Sequence, residues 1–287
     1  IKENYEREKD SITEAAKKFE ENLKRINEIF ADNYKLDIKE LPAIEDRDIA
    51  VNIPTELVWI KRLIAYSVGC MFGRYSLESK GLLIAGKMTE ARESSSKFKY
   101  DIDNIIPICD EEYFDDDIVA RFYEFIKVVF GENDFAQNIT YIATVLGGKG
   151  TDREIIRNYF MNEFYADHCS LYSAGLGGKR PIYWLFESGS ENAFKCLVYL
   201  HRYTPDTVGL IRSDYLTKIQ GMIENALKNA EYAINTSSSA VDRAQATKKR
   251  DKYIKQLAVI RAYYPALSHI ALQRIDLNLD DGVKANY

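Results

Sequence analysis

The residues best suited to chemistry lie between Lys179 and Tyr203, where cationic side chains flank a run of aromatic ones. Lys179 and Arg180 precede the run, and His201 and Arg202 follow it. Cationic groups bind the phosphates of a nucleic-acid backbone, and aromatic rings stack on its bases. This composition is compatible with a contact to a nucleic acid, although composition alone favours a hairpin that fills a core; the candidate DNA-binding residues are Lys179, Arg180, Tyr183, Lys195, His201 and Arg202.

A β-hairpin would position these candidates. Two runs rich in aromatic and β-branched residues, Pro181–Phe186 and Ala193–Leu200, flank a Glu-Ser-Gly-Ser-Glu-Asn turn, a pattern typical of two antiparallel strands. Because side chains alternate along a strand, we expect Trp184 to be buried and Tyr183 to lie closer to solvent. The alternative is a hairpin whose apolar residues only fill a core, namely Ile182, Trp184, Phe194 and Leu197.

A second basic run lies near the C-terminus. Apolar faces along Tyr215–Ala230 and Tyr253–Tyr264 predict two long helices with a turn at Asn235–Ala240, which gives an antiparallel helical hairpin. We expect Pro265 to kink or end the second helix. Two aspartates interrupt the basic run, which favours a solvated helix surface over a phosphate track. The run consists of Lys248, Lys249, Arg250, Lys252 and Lys255.

Amphipathic patterns elsewhere predict a mainly helical α+β fold, with a small antiparallel sheet around residues 181–200. A helix is predicted at Ser11–Phe30, with Ser11 as N-cap and Glu14 completing a capping box. We divide the chain into a helical arm and linker (1–100), an α+β lobe with the hairpin (101–204) and a C-terminal helical hairpin with a tail (205–287), which can form one continuous domain. Further elements are predicted at Thr55–Phe72, Leu82–Ala85 (a short strand), Ile118–Phe130, Asp134–Leu146 and Asp152–Tyr165.

Composition sets limits on the partners. The chain has 287 residues, of which 46% are hydrophobic and 29% are charged, as in ordinary globular proteins. No apolar run approaches the roughly 20 residues of a membrane span, so we expect no membrane partner. The four cysteines are scattered without paired spacing, which favours reduced thiols and a cytoplasmic location. The net charge of −5 argues against a surface that binds DNA everywhere, so any DNA contact must come from a local basic patch.

Several blocks of the sequence match the pattern of one known family. The hairpin contributes Arg180–Phe186 (RPIYWLF) and Phe194–Tyr203, and Arg212–Leu216 follows. Two further blocks are Ala65–Leu77 (AYSVGCMFGRYSL) and Leu277–Tyr287 (LNLDDGVKANY). In this order the blocks resemble the C-terminal region of the PglX-type adenine-specific DNA methyltransferases of bacteriophage-exclusion (BREX) defence systems. The resemblance extends over essentially the whole chain, and several long blocks are more specific than any single short motif.

The resemblance implies methyl transfer from S-adenosylmethionine to the N6 amine of adenine by the parent enzyme. Such chemistry needs a Gly-rich turn and an Asn/Asp-Pro-Pro-aromatic loop, yet the chain has no consecutive prolines. The three histidines lack zinc-site spacing. The acidic cluster between Asp110 and Asp117 lacks EF-hand spacing, and its carboxylates suit the start of a helix better than a divalent metal. We therefore expect no catalytic, metal-binding or cofactor-binding residues in this chain, with S-adenosylmethionine bound by an N-terminal domain of the parent.

Two functions remain open at this point. The first is a DNA-recognition or clamp lobe that contacts double-stranded DNA. The second is a protein-interaction lobe that docks other BREX proteins or a phage-encoded inhibitor. A concave cationic face favours DNA, whereas an exposed apolar face favours a protein partner.

The block around Gly69 and Gly73 has a separate, structural interpretation. Two glycines four residues apart near the end of a helix indicate close packing against another element. We expect Arg74, which follows them, to cap helix carbonyls or to pair with a buried carboxylate.

Overall fold

The computed structural model describes residues 1–37, 51–85, 97–172 and 181–277, and the predicted mainly helical α+β class is confirmed. Part of the predicted linker (residues 38–50) and nearly all of the terminal block Leu277–Tyr287 lie outside the described residues. The strands are β1 (Ile105–Pro107), β2 (Tyr183–Glu187) and β3 (Lys195–Tyr199). The helices are α1 (Lys2–Tyr34), α2 (Glu56–Met71), α3 (Ile118–Phe130), α4 (Phe135–Leu146), α5 (Asp152–Asn162), α6 (Phe164–Leu171), α7 (Thr207–Leu210), α8 (Thr217–Thr236) and α9 (Ala240–Gln273).

The three strands form one antiparallel sheet in the order β1-β3-β2. The predicted hairpin is confirmed as β2 and β3, with Trp184 opposite Val198. Sequence patterns missed β1, which has only three residues and pairs with the other edge of β3, placing Ile106 opposite Leu197. A run this short has no alternation to detect.

The sheet separates two hydrophobic cores, because alternate side chains of a strand point to opposite faces. On β3, Leu197 and Tyr199 face the first core, which is filled mainly from α2–α6. Cys196 and Val198 face the second core, which is filled mainly from α7–α9 and the π-helical turn Ile211–Leu216 that joins α7 to α8. Helices therefore cover both faces of the small sheet.

Because helices cover both faces of the sheet, Tyr183 is more buried than Trp184, which is the opposite of the prediction. Tyr183 is only 3% exposed and stacks on Phe72 in the first core, with ring centroids 5.1 Å apart. Trp184 is half-buried on the other face, 6.1 Å from the ring of Tyr203. The expectation of a buried Trp184 and a more exposed Tyr183 was wrong, because the first core, on the side of Tyr183, encloses its side chains more completely.

Helix starts follow the capping rules at several positions. α2 begins as predicted, since the Thr55 hydroxyl accepts a hydrogen bond from the Val58 amide. α1, however, begins at Lys2, so the predicted N-cap and capping box at Ser11 were wrong; the charged residues before Ser11 are good helix formers and extend the helix. A capping box does form at Thr151 and Glu154, at the start of α5.

Three further predictions needed correction. Residues 82–85 form an irregular segment and not a strand, although Ile84 is buried in the first core. The helix predicted at Asp152–Tyr165 is split at Glu163, where α5 ends and α6 begins. Pro265 does not end α9, which continues to Gln273. The C-terminal helical hairpin itself is confirmed as α8 and α9, packed against each other.

Close packing at the two glycines of the 65–77 block is confirmed. A Cβ atom at Gly69 would lie 2.4 Å from Cδ2 of Tyr75. Gly73 has a φ of +72°, and a Cβ atom there would lie 3.0 Å from Cγ of Tyr100. Any larger residue would push these rings out of place, and at Gly73 it would also strain the backbone.

A buried ion pair connects α3, α5 and the segment after β1. Asp117 is fully buried, and its carboxylate accepts two hydrogen bonds from Arg157, each 3.0 Å long. The same carboxylate caps α3 by accepting from the Val119 amide, while Arg157 also donates to the carbonyl of Cys109. Paired charges with this many bonds are tolerated in a core, but one charge left alone is not.

We predict that Asp117→Ala lowers the free energy of unfolding by about 3–5 kcal/mol, because the change leaves the Arg157 charge buried and removes the helix cap. Urea denaturation monitored by circular dichroism measures the loss. Asp115→Ala is the matched control, since Asp115 is exposed, and it should change stability by less than about 0.5 kcal/mol. Equal stability of the two variants would contradict this role of the ion pair.

Candidate nucleic-acid interface

Two of the hairpin cations, Lys195 and Arg202, are used within the fold. Lys195 is 9% exposed, and its ammonium donates a hydrogen bond to the Met161 carbonyl at 2.9 Å. Its nitrogen also lies 3.6 Å from the carboxylate of Glu187 on the neighbouring strand. Lys195 thus links β3 to the end of α5, and little of its side chain is available to a DNA backbone.

Arg202 is also used inside the fold. Its guanidinium donates to the carbonyls of Phe72 and Asp101 through Nη1, at 3.2 and 2.7 Å, and to that of Ile102 through Nη2, at 2.9 Å. The guanidinium carbon lies 4.8 Å from the ring centroid of Tyr100. These contacts fasten the end of α2 and the segment before β1 to the hairpin.

Among the remaining hairpin candidates, Tyr183 is buried, as described above, and His201 is half-buried with Nδ1 3.1 Å from the Tyr199 hydroxyl. Burial, and then the charge of Arg74, lower the pKa of His201. Lys179 and Arg180 lie outside the described residues. The described candidates therefore form part of the scaffold around β3, and the structure does not arrange them as one exposed basic surface.

The structure shows a different role for Arg74 from the one expected. Its Nε donates to the Tyr75 hydroxyl at 3.3 Å, and its Nη1 donates to the Tyr199 hydroxyl at 3.1 Å. The expectation of helix carbonyls or a buried carboxylate as its partners was wrong. Sequence reasoning also missed that Arg74 and His201 would lie on either side of one tyrosine, because the two residues are far apart in the chain.

The basic run near the C-terminus lies on α9. This helix carries seven Lys and Arg against two Asp, a net charge of +5 in a chain whose net charge is −5. Three of its lysines are exposed and form no ion pair with a described acidic residue: Lys248, Lys249 and Lys255. We call these three the α9 basic face. Arg250 pairs with its neighbour Asp251 at 2.7 Å.

The middle of α9 contacts the acidic segment that follows β1. The ammonium of Lys252 lies 2.5 Å from Asp110 and 3.6 Å from Glu111. The hydroxyl of Tyr253 also donates to Glu111, and the buried Gln256 donates to Asp110 and to the carbonyl of Glu191 in the hairpin turn. Two residues of the acidic cluster, Asp110 and Glu111, therefore hold α9, while Asp117 serves the start of α3.

Features typical of several other kinds of partner are absent from the described residues. They contain no group of three His, Cys, Asp or Glu side chains arranged to hold a metal ion. None of the described helices combines the length and the apolar character that a membrane span requires. The sheet is wholly antiparallel, so it lacks the parallel strand ends at which open α/β sheets bind nucleotide-like cofactors.

Comparison with known proteins confirms the predicted resemblance. No family model matches the chain. The chain is 38% identical to the adenine-specific methyltransferase PglX of Lacticaseibacillus casei (strain Zhang), over 283 residues that cover 93% of this chain and 22% of PglX. It is 39% identical to the adenine-specific methyltransferase BrxX of Escherichia coli O9:H4 (strain HS), over 241 residues that cover 79% of this chain and 20% of BrxX. The chain spans about a fifth of the length of these curated relatives.

One histidine near the hairpin gives the fold a predictable pH dependence. Nε2 of the buried His168 accepts hydrogen bonds from the amides of Ile182 and Tyr183, at 3.1 and 3.3 Å. Burial, and then the charge of Arg74, lower the pKa of His168 to about 4. Because the folded-state pKa lies below the unfolded value, this stabilisation is complete above about pH 6.5 and is lost as the pH falls toward about 4.

We predict that His168→Gln gains stability relative to the wild type as the pH falls from 6.5 to 4, because a Gln oxygen still accepts amide hydrogen bonds but does not titrate. The titration of His168 contributes about 3 kcal/mol across this range. Urea denaturation at a series of pH values measures it, and the raised pKa of Asp101, about 7, affects both proteins equally. His269→Gln, at an exposed position, is the control and should keep the wild-type profile. Parallel profiles for His168→Gln and the wild type would contradict the prediction.

Proposed function

This chain is a relative, over most of its length, of a segment of the PglX and BrxX adenine-specific methyltransferases, and from that premise we propose that it is a DNA-contacting lobe of such an enzyme. The observation that carries the proposal is the α9 basic face, a local concentration of exposed positive charge on an otherwise acidic chain. We infer that this face binds phosphates of double-stranded DNA, while the parent transfers the methyl group elsewhere.

A second lobe has a clear use in this chemistry. An enzyme that methylates an adenine inside a duplex must extrude the base, which costs unstacking energy. Phosphate contacts away from the target hold the duplex in register during that step. In our proposal the lobe is C-terminal in the parent, acts in the cytoplasm, and helps to place a mark that lets a phage-defence system recognise host DNA.

The scaffold residues narrow the choice of DNA contacts. The ammonium of Lys195 and the guanidinium of Arg202 already bond protein carbonyls, so moving either onto a phosphate would break contacts that hold the sheet. Among the hairpin candidates we retain Lys179 and Arg180 as proposed contacts. On α9, Lys252 is engaged with Asp110. The main proposed phosphate contacts are therefore Lys248, Lys249 and Lys255.

We predict that Lys248→Gln, Lys249→Gln and Lys255→Gln together weaken binding of duplex DNA and reduce the slope of log K against log salt concentration by about 2–3, because each phosphate contact contributes about 0.9. Fluorescence anisotropy with one duplex across a salt series measures both quantities. The matched control changes three exposed lysines of α1 to Gln: Lys9, Lys17 and Lys18. That helix carries nine acidic and seven basic residues, so the control should leave both quantities unchanged.

Equal effects of the two triple variants would mean that the wild-type contact is non-specific attraction or lies elsewhere, and would contradict the proposal.

The division of the chain at residues 100 and 204 stays a proposal too. The hydrogen bond from Gln256 to the hairpin turn joins the second and third parts, which supports the idea that they act as one unit.

The proposal also has a consequence for the cofactor. If the parent binds S-adenosylmethionine outside this segment, isothermal titration of the isolated chain with S-adenosylmethionine should show no binding. The antiparallel sheet supports this expectation, as argued above. A control titration with the full-length enzyme verifies the ligand. Micromolar binding by the isolated chain would place the cofactor site here and overturn this part of the proposal.

A protein-interaction lobe remains the second candidate because one described surface favours it. The last turns of α1 expose a stripe of large apolar side chains: Ile26, Ile29, Phe30 and Tyr34, between 46% and 68% exposed. An exposed apolar stripe of this kind is typical of a protein contact. The partner would be another BREX protein or a phage-encoded inhibitor. The two candidates differ in the DNA experiment, since a lobe that only docks proteins would lose nothing when the α9 basic face is neutralised.

A further inference from the structure

Three aspartates and one tyrosine meet beside β1. The hydroxyl of Tyr215, in the π-helical turn, lies 2.8 Å from Oδ2 of Asp103 and 2.8 Å from Oδ2 of Asp116. The carboxyl group of Asp101 lies against that of Asp103. We call these four residues the aspartate cluster: Asp101, Asp103, Asp116 and Tyr215. Because Asp103 precedes β1 and Asp116 follows it, the cluster joins the π-helical turn to the segments on both sides of this strand.

The two contacts of the Tyr215 hydroxyl require more hydrogens than a fully ionised cluster contains. A tyrosine has one hydroxyl hydrogen, and an ionised carboxylate can only accept a hydrogen bond. The hydroxyl of Tyr215 can therefore donate to Asp103 or to Asp116, but not fully to both. A separation of 2.8 Å is the normal length of an O–H···O hydrogen bond. The second contact is thus satisfied when one of the carboxyl groups carries a proton and donates it to the tyrosine oxygen.

The surroundings of the cluster also favour a bound proton. All three aspartates are half-buried, and carboxylates removed from water resist ionisation. The positive charge of Arg202 attracts Asp101 and Asp103, but one cation does not balance three carboxylates. The Asp117 carboxylate and the Cys196 thiol also interact with members of the cluster, and neither supplies a positive charge.

The titration of the aspartates agrees with this geometry. Burial, and then a hydrogen bond to Asp103, raise the pKa of Asp101 to about 7. Burial also raises the pKa of Asp116, and the hydrogen bond from Tyr215 opposes part of this rise. An aspartate in an unfolded chain titrates near pH 4. Between pH 4 and 7 the folded cluster therefore keeps a proton that the unfolded chain has already released.

We propose that the aspartate cluster is a pH-dependent latch, which holds a proton in the folded chain and frees the π-helical turn when it releases that proton above neutral pH. After the release, the Tyr215 hydroxyl cannot satisfy both neighbouring carboxylates, and the negative charges repel each other. The turn joins α7 to α8 and also contacts α9. The latch therefore controls how firmly the C-terminal helical hairpin is held against the sheet, and it does not depend on DNA binding.

The first test uses the wild-type chain. Carbon-13 nuclear magnetic resonance of the side-chain carboxyl groups should show at least one aspartate of the cluster titrating above about pH 6. The exposed Asp115 should titrate near pH 4. Amide hydrogen exchange of Tyr215 and Leu216, corrected for the intrinsic effect of pH, should become about tenfold faster relative to α3 between pH 6 and 8.5.

The second test replaces the central carboxyl group. In Asp103→Asn the amide supplies a hydrogen to Tyr215 and removes one charge, so the cluster no longer needs the proton. Because the folded-state pKa is raised, the wild-type stabilisation is complete below about pH 4 and is lost as the pH rises through about 7. The unfolding constant of the wild type, divided by that of Asp103→Asn, should therefore rise about tenfold per pH unit between pH 5 and 7.

Urea denaturation at a series of pH values measures this ratio, and the titration of His168 cancels because both proteins contain it. Asp115→Asn, the same change at an exposed neighbour, is the matched control and should give a ratio that is constant with pH.

Titration of all three cluster aspartates below about pH 5 in the wild type would overturn the proposal, and this measurement needs no variant to fold. A constant ratio for a folded Asp103→Asn variant would also overturn it. An aspartate that titrates near pH 7 while hydrogen exchange in the π-helical turn stays unchanged would overturn the latch, because the proton would then not control the turn.

Discussion

Strand β3 is buried along its whole length, and most of the architecture follows from that constraint. Both of its edges are paired, with β1 and with β2, so its backbone groups need no water. Its two faces need cover as well, and α2–α6 supply one cover while α7–α9 supply the other. With strands of only three to five residues, this sheet alone would bury too little apolar area to be stable. The small sheet therefore lies between two helical layers and contributes side chains to both hydrophobic cores.

Burial of β3 also decides what its polar residues and neighbours can do. Lys195 and Tyr199 bring an ammonium and a hydroxyl into the interior, and each such group must find a partner there. Lys195 uses the Met161 carbonyl. The Tyr199 hydroxyl donates to the Ile84 carbonyl at 2.6 Å and accepts from Arg74. Lys195 and Arg202 thus bond protein carbonyls within the fold, and the guanidinium of Arg74 bonds a tyrosine hydroxyl of the strand.

Local sequence patterns predicted the elements well and the long-range contacts poorly. The bounds predicted for α3, Ile118–Phe130, match the structure, because apolar periodicity and an Asp N-cap are local signals. Periodicity also predicted an exposed basic face on α9, and three of its lysines form no ion pair with a described acidic residue. Nothing local indicates that Asp117 pairs with Arg157, 40 residues away, or that Tyr183 faces the more enclosed core. Such facts depend on which helices cover the sheet, and a pattern within one segment does not contain them.

The distribution of charge provides the link between fold and proposed function. Without α9, the remaining chain carries a strong excess of negative charge, so a DNA duplex would be repelled from most of the surface. The acidic segment at Asp110 and Glu111 neutralises Lys252 in the middle of α9 and also holds the helix against the hairpin. The α9 basic face therefore lies next to a negatively charged boundary. In the proposed function, a basic face bounded in this way would bind a phosphate backbone in few positions, which suits a lobe that holds a duplex in register while a base is extruded elsewhere.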